Sequence, residues 1–194
     1  MFMKTVLRSS FSLCLCICLL LLPCHATSAA TKAEIDTMQA HLPDEWPDAP
    51  EITSEAAILV DIDTDTILYA KNATSSMYPA STTKLMTALT VLQNMKTTDI
   101  VTIGSEINMI AADSSKAGFS QGQVVTVQEL LEGLLISSGN DAAYVLAKAA
   151  GEAILKDNIA NEGKTFTAAQ CVERFVYEMN KNVRDMELEN THFM

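Results

Sequence analysis

The period of the apolar positions changes several times along the chain, and each change marks an element. Residues 56–62 (Ala56-Ala57-Ile58-Leu59-Val60-Asp61-Ile62) and 67–71 (Ile67-Leu68-Tyr69-Ala70-Lys71) are β-rich runs on either side of Asp63-Thr64-Asp65-Thr66. Two such runs around a short polar cluster predict a hairpin. Leu85, Met86, Leu89, Val91, Leu92 and Met95 then recur at helical spacing and predict a buried helix from about Thr82 to Met95, with Pro79 pre-setting an extended approach. The stretch from there to Gln123 is rich in Ser, Gly and Asp without clear periodicity and reads as loop. Thr126-Val127-Gln128-Glu129 is a capping box that opens a helix through Leu130, Leu131, Leu134, Leu135 and Ile136. That helix is expected to stop at Ser137-Ser138-Gly139-Asn140, because glycine and asparagine tolerate the left-handed conformation that ends helices. Asp141 is expected to cap the next helix, through Tyr144, Leu146 and Ala150. Thr167-Ala168-Ala169-Gln170 caps a last one, with Val172, Phe175, Val176, Met179, Val183 and Met186 on one face. Pattern alone gives a mixed helix and strand protein.

The two ends of the readable pattern differ from the middle. Residues 1–30 read as an export signal. Lys4 and Arg8 supply a positive start, residues 11–22 an uncharged apolar run, and Ala26-Thr27-Ser28 or Ser28-Ala29-Ala30 a small-residue cleavage site. The run is short for a membrane span, although an uncleaved anchor stays open as an alternative. Cys14, Cys16, Cys18 and Cys24 lie in this segment, so only Cys171 remains beyond it, and the exported part must rely on its core rather than on an internal disulfide. Cys171 sits in a helical pattern and reads as a buried small apolar group. Residues 31–54 hold Pro43, Pro47 and Pro50 and read as a lead-in or linker. Residues 55–194 would then form the folded part. A formal net charge of −11 leaves no basic patch for nucleic acid.

Three groups of residues carry candidate chemistry. Asp61, Asp63 and Asp65 alternate as in a calcium loop, but no glycine or bidentate glutamate follows at the required spacing, which favours turn chemistry. Ser81 and Lys84 form a Ser-x-x-Lys at the start of the first predicted helix. Residues three apart on a helix share a face with Cβ atoms about 5–6 Å apart, so the lysine amine can reach the serine hydroxyl. A serine is a weak nucleophile until a neighbour takes its proton, and a lysine can do so only where burial or a nearby cation has lowered its pKa. By default such a serine is a cap and such a lysine is solvated, and chance supplies a Ser-x-x-Lys roughly once per couple of hundred residues. Ser138-Gly139-Asn140 is a polar tip between two apolar helices and by default a turn. The two motifs in this order, some fifty residues apart, are much less easily coincidental.

Together they resemble the Ser-x-x-Lys and Ser-x-Asn motifs of the penicillin-recognising serine enzymes. The wider runs at residues 78–88 and 129–143, with Leu68-Tyr69-Ala70-Lys71-Asn72-Ala73 and residues 188–193, are similar to the serine-type D-alanyl-D-alanine carboxypeptidases, the low-molecular-weight penicillin-binding proteins of the peptidase S11 family. The likeness spans about residues 55–194. It implies an α+β, β-lactamase/transpeptidase-like fold, an antiparallel sheet flanked by helices plus a helical region that carries the Ser138 tip. It implies Ser81 as acyl-ester nucleophile, Lys84 as general base, Ser138 as proton relay and Asn140 as a substrate-binding amide that also hydrogen-bonds Lys84 to help hold it. The substrate implied is a peptidoglycan stem peptide ending in D-Ala-D-Ala, with β-lactams as covalent inhibitors, acting outside the cytoplasm without metal or organic cofactor. The three histidines, His25, His41 and His192, offer no Ser-His-Asp set.

Two departures from the family pattern stand out. Asp65 occupies a hairpin-turn position where relatives commonly carry glycine. The family's third motif, Lys-Thr-Gly on a sheet strand, has no counterpart, so the fold is expected to be incomplete in a chain that reads as part of a longer protein. The missing portion would hold the central strands, half the oxyanion hole, the group receiving the substrate carboxylate and any C-terminal segment for peripheral membrane association. Two alternatives remain at this level. A β-lactamase would share the fold and first motif, but its class A form carries Ser-Asp-Asn and a glutamate-bearing loop not recognisable here. An inactive binding protein could keep the helical half alone, with exposed apolar surface and poor solubility.

Overall fold

The computed structural model describes residues 50–194. The export-signal reading of residues 1–30, its four cysteines, and the lead-in up to residue 49 lie outside the described residues. The predicted hairpin is present: β1 (Ala57–Asp61) pairs antiparallel with β2 (Thr66–Lys71), running from Ala57↔Lys71 to Asp61↔Thr66 with a bulge at Leu59/Val60. Its turn is built from the aspartates. The Asp63 N–H donates to Asp61 Oδ1 at 3.0 Å, and Asp65 takes φ +52°, which supports the turn reading over the calcium loop. Lys71 Nζ donates to the Ile52 carbonyl and Asn72 Nδ2 to that of Glu55, so residues 52–55 are fastened to the end of β2. Ile67 is buried, whereas Ile58, Leu59 and Val60 of β1 are exposed.

The helices form the core. In chain order they are α1 (Thr83–Asn94), α2 (Val127–Leu135), α3 (Asn140–Asp157) and α4 (Ala168–Asp185). Both predicted capping boxes close, Thr126 with Glu129 at α2 and Thr167 with Gln170 at α4. Val91 of α1, Val127, Leu130 and Leu134 of α2, Val145, Leu146 and Ala150 of α3, and Phe175 and Met179 of α4 pack into one cluster. Burying each large aliphatic or aromatic side chain of this kind stabilises by about 1.5–3 kcal/mol relative to exposure. Gly151 lets α3 and α4 meet, since a Cβ there would lie 1.9 Å from the Cys171 carbonyl oxygen. Cys171 itself is buried, and burial pushes its thiol pKa up.

Four expectations need correction. In α1 the buried positions are Thr87, Ala88, Thr90 and Val91, while Leu85 and Leu92 are exposed. A polar bond accounts for the burial of Thr90, whose Oγ1 accepts from Asn182 Nδ2 of α4 at 2.9 Å. The same nitrogen donates to Gln93 Oε1. The stretch read as loop contains β3 (Ile100–Thr102) paired antiparallel with β4 (Val124–Thr126), and a 3-10 turn at Ser105–Met109. Pro79 is helical (φ −69°, ψ −15°) rather than extended. The α3 helix begins at Asn140, so Asp141 lies inside it and does not cap it. No helix among the described residues is long and apolar enough to cross a membrane.

Candidate active site

Ser81 owes its position to a turn that the sequence did not announce. Ala80, a non-glycine residue, takes φ +47°, and Ala80–Thr82 then form one 3-10 turn before α1. The Thr82 N–H and hydroxyl both donate to the Pro79 carbonyl, at 3.0 and 2.6 Å, and lock this entry. The left-handed step at Ala80 costs on the order of 1–3 kcal/mol and persists only because its surroundings hold it. Ser81 is exposed at the mouth of α1, and Lys84, half-buried, lies one turn on. Lys84 Nζ stands 3.4 Å from Ser81 Oγ, a long donor-acceptor distance of the kind that catalytic pairs tighten when substrate arrives.

The second half of the site comes from the connection between α2 and α3. Ser138 takes φ +53°, while Gly139 is extended at φ −69°, ψ +120°. The left-handed residue that ends α2 is therefore a serine, and the glycine serves another purpose. A Cβ on Gly139 would lie 2.8 Å from both the Cβ and the backbone nitrogen of Ala117. Gly133 of α2 is similar: a Cβ there would meet the Phe119 ring at 2.6 Å. Both glycines make room for the 115–119 segment, which lies against the tip. The Gly139 N–H donates to the Gly133 carbonyl and the Asn140 N–H to that of Ser115.

Asp141 completes this arrangement. It is 1% exposed, and its carboxylate accepts from the N–H groups of Ala117, Gly118 and Phe119 at 2.8, 2.8 and 3.1 Å, and from Ala142. Burial pushes its pKa up, but the four N–H donors outweigh that and hold it below the usual aspartate range. This role was missed by sequence reasoning, which took Asp141 for a helix cap. Its one visible signal was an acidic side chain directly after a polar tip.

The structure brings Ser81, Lys84 and Ser138 together. Ser138 Oγ lies 2.9 Å from Ser81 Oγ across 57 positions of sequence. Asn140 is half-buried at the first position of α3, two residues past Ser138, and its expected hydrogen bond to Lys84 is not made. An exposed hydroxyl with an amine on one side and a second hydroxyl on the other can form a covalent bond to an incoming acyl group while its proton is passed along.

Comparison with known proteins agrees with this geometry. Residues 44–154 match the family described as Peptidase_S11, D-alanyl-D-alanine carboxypeptidase. The D-alanyl-D-alanine carboxypeptidase DacA of Escherichia coli K12 is 33% identical over 156 residues, covering 76% of this chain and 34% of the relative. A D-alanyl-D-alanine carboxypeptidase of Streptomyces sp. K15 is 35% identical over 148 residues, 74% of this chain and 47% of the relative. The crystal structure of the Streptomyces K15 DD-transpeptidase superposes with a TM-score of 0.64 at 34% identity, over 76% of this chain and 53% of that one. The likeness confirms the expected α+β, transpeptidase-like fold, of which this chain holds the helices and small antiparallel sheets. The chain spans about a third to a half of the length of the curated relatives it matches. With more than half its length matched and the Ser81, Lys84 and Ser138 side chains gathered at one point, the chain belongs to the peptidase S11 family of D-alanyl-D-alanine carboxypeptidases.

Proposed function

We propose that this chain carries the nucleophile-bearing part of a serine D-alanyl-D-alanine carboxypeptidase that acts on peptidoglycan stem peptides and is acylated by penicillins. The observation that carries the reading is Ser81 Oγ set between Lys84 Nζ at 3.4 Å and Ser138 Oγ at 2.9 Å. Lys84, in its neutral form, takes the Ser81 proton as Oγ adds to the carbonyl carbon of the penultimate D-alanine. The carbonyl oxygen gains charge, which the Ser81 backbone N–H stabilises in part. The peptide C–N bond then breaks, and the terminal D-alanine leaves with a proton delivered from Lys84 through the Ser138 hydroxyl. Water adds to the ester, returns the hydroxyl to Ser81 and releases the shortened peptide. A penicillin follows the first half of the path by opening its β-lactam ring on Ser81.

Asn140 is assigned to the substrate. Its side chain stands at the start of α3 beside the tip, where an amide can bond the carbonyl of a bound peptide. Peptidoglycan lies outside the cytoplasm, which fits removal of residues 1–30 as an export signal, with residues 31–54 as lead-in and residues 55–194 as the N-terminal part of the catalytic domain. Peripheral attachment to the membrane would depend on a segment outside this sequence.

The test is labelling of the full-length protein by a fluorescent penicillin. Ser81→Ala should abolish the covalent adduct while the circular dichroism spectrum stays unchanged. An adduct that survives the substitution would assign the nucleophile elsewhere and overturn the reading.

A further inference from the structure

Beyond the three residues that handle the acyl group, we propose that Asp141 is a positioning residue for Ser138. Its carboxylate straps the 117–119 segment across the α2–α3 tip and so keeps the Ser138 hydroxyl on Ser81. The proposal rests on the acyl-transfer reading above.

Three observations support it. First, the tip carries a left-handed serine at φ +53°, a conformation that relaxes unless neighbouring structure holds it. Second, the segment lying against the tip has few other supports. Phe119 seats its ring over Gly133, but a cleft of about 410 Å³ separates Lys116, Gly118 and Ser120 from Ile107 and Ile110 of the 3-10 turn region. The carboxylate of Asp141, a residue that borders this cleft, supplies acceptors for three successive N–H groups of the segment, and it does so from a side chain that is itself 1% exposed. Third, the strap and the relay are adjacent on one rigid path. Asp141 follows Asn140, whose N–H is fixed to the Ser115 carbonyl, and Gly139, which touches Ala117. If the segment lifts, the Ser115 and Ala117 contacts loosen with it, and the turn at Ser138 loses what holds its hydroxyl 2.9 Å from Ser81 Oγ.

Asp141→Asn keeps the size of the side chain but turns one acceptor into a donor pointed at N–H groups. Two readouts on the full-length protein separate the possibilities. Hydrogen exchange should show the peptide covering residues 115–120 exchanging at least roughly tenfold faster in D141N, with the α1 and α4 peptides unchanged. Acylation by penicillin should slow by roughly tenfold to hundredfold in the rate constant, with the affinity of the initial complex little altered, as expected for a displaced proton-transfer group. The deciding measurement is a double-substitution cycle with Ser138→Ala. A strap that acts through Ser138 makes D141N nearly silent in the S138A background, whereas a merely structural role gives additive losses. Additive losses, or a wild-type acylation rate in D141N, overturn the proposal. Should D141N fail to fold, Gly139→Ala, whose new methyl would meet both Asp141 Oδ1 at 2.6 Å and Ala117 at 2.8 Å, displaces the same segment at the strap itself and must reproduce the faster exchange and the non-additive acylation defect. If the unsubstituted protein forms no penicillin adduct, the acyl-transfer reading has failed, and unchanged exchange at residues 115–120 in D141N would separately refute the strap.

Discussion

Among the described residues, five non-glycine residues hold a left-handed backbone: Asp65, Asn72, Ala80, Ser138 and Glu187. Two of the five, Ala80 and Ser138, flank the meeting point of the Ser81 and Ser138 hydroxyls. Aspartate and asparagine reach this conformation at smaller cost than most residues, and Asp65 takes it in the hairpin turn. Alanine has no such advantage. Ala80→Gly should therefore raise stability by about 1 kcal/mol, read as a higher denaturant midpoint at unchanged slope, and Asp65→Gly should raise it by less. A loss of stability in Ala80→Gly would mean that the Ala80 methyl makes contacts worth more than its strain. The φ of Asp65 means that its position demands a residue that tolerates a left-handed turn, for which glycine is the usual choice.

At the level of elements, what the sequence disclosed follows local chemistry closely. The two capping boxes and the hairpin were legible because each is written within a few consecutive residues. Strands β3 and β4 were not, because three residues are too few to display alternation and their partners lie more than twenty positions apart. The exposed Leu85 and Leu92 of α1 show a second limit: apolar periodicity reports a face but not what covers it. Gly151 shows a third. Within an apolar stripe it reads as a weak helix position, yet it lets the backbone of α3 approach the backbone of α4 at Cys171. Gly151→Ala should destabilise by about 3 kcal/mol or more, because the new methyl meets backbone and one helix must shift. Thermal unfolding of the substituted protein checks this; a midpoint within a degree of the parent would show that the helices separate without cost.

Across the whole molecule, the site was half legible. Ser81 and Lys84 could be paired from helix geometry alone, but nothing local relates position 81 to position 138, and that juxtaposition was reached through resemblance before the fold displayed it. The strap at Asp141 stayed hidden because it depends on a segment with no periodic pattern. The same group shapes how the protein responds to acid. Asp141 is held below the usual aspartate range by four N–H donors that outweigh its burial, and Glu152 is lowered by its hydrogen bonds to Lys148 and Lys156, against a smaller penalty for burial. A carboxyl whose folded pKa is depressed binds fewer protons folded than unfolded between the two values. Its contribution is therefore complete above the unfolded values of about 3.9 for Asp and 4.3 for Glu, and is lost as pH falls through the lower folded ones. Lys148, for which the Glu152 bond and nearby charges outweigh burial to raise the pKa, behaves in the opposite sense. Its contribution is complete below about pH 10.4 and is lost as pH rises through the higher folded value. None of the three gives stability any slope near neutrality. Unfolding free energy measured from pH 6 down to pH 2 should fall below about pH 4, and the fall should be shallower in Asp141→Asn and in Glu152→Gln. An acid limb of equal steepness in the parent and both variants would show that other carboxyls set the acid response.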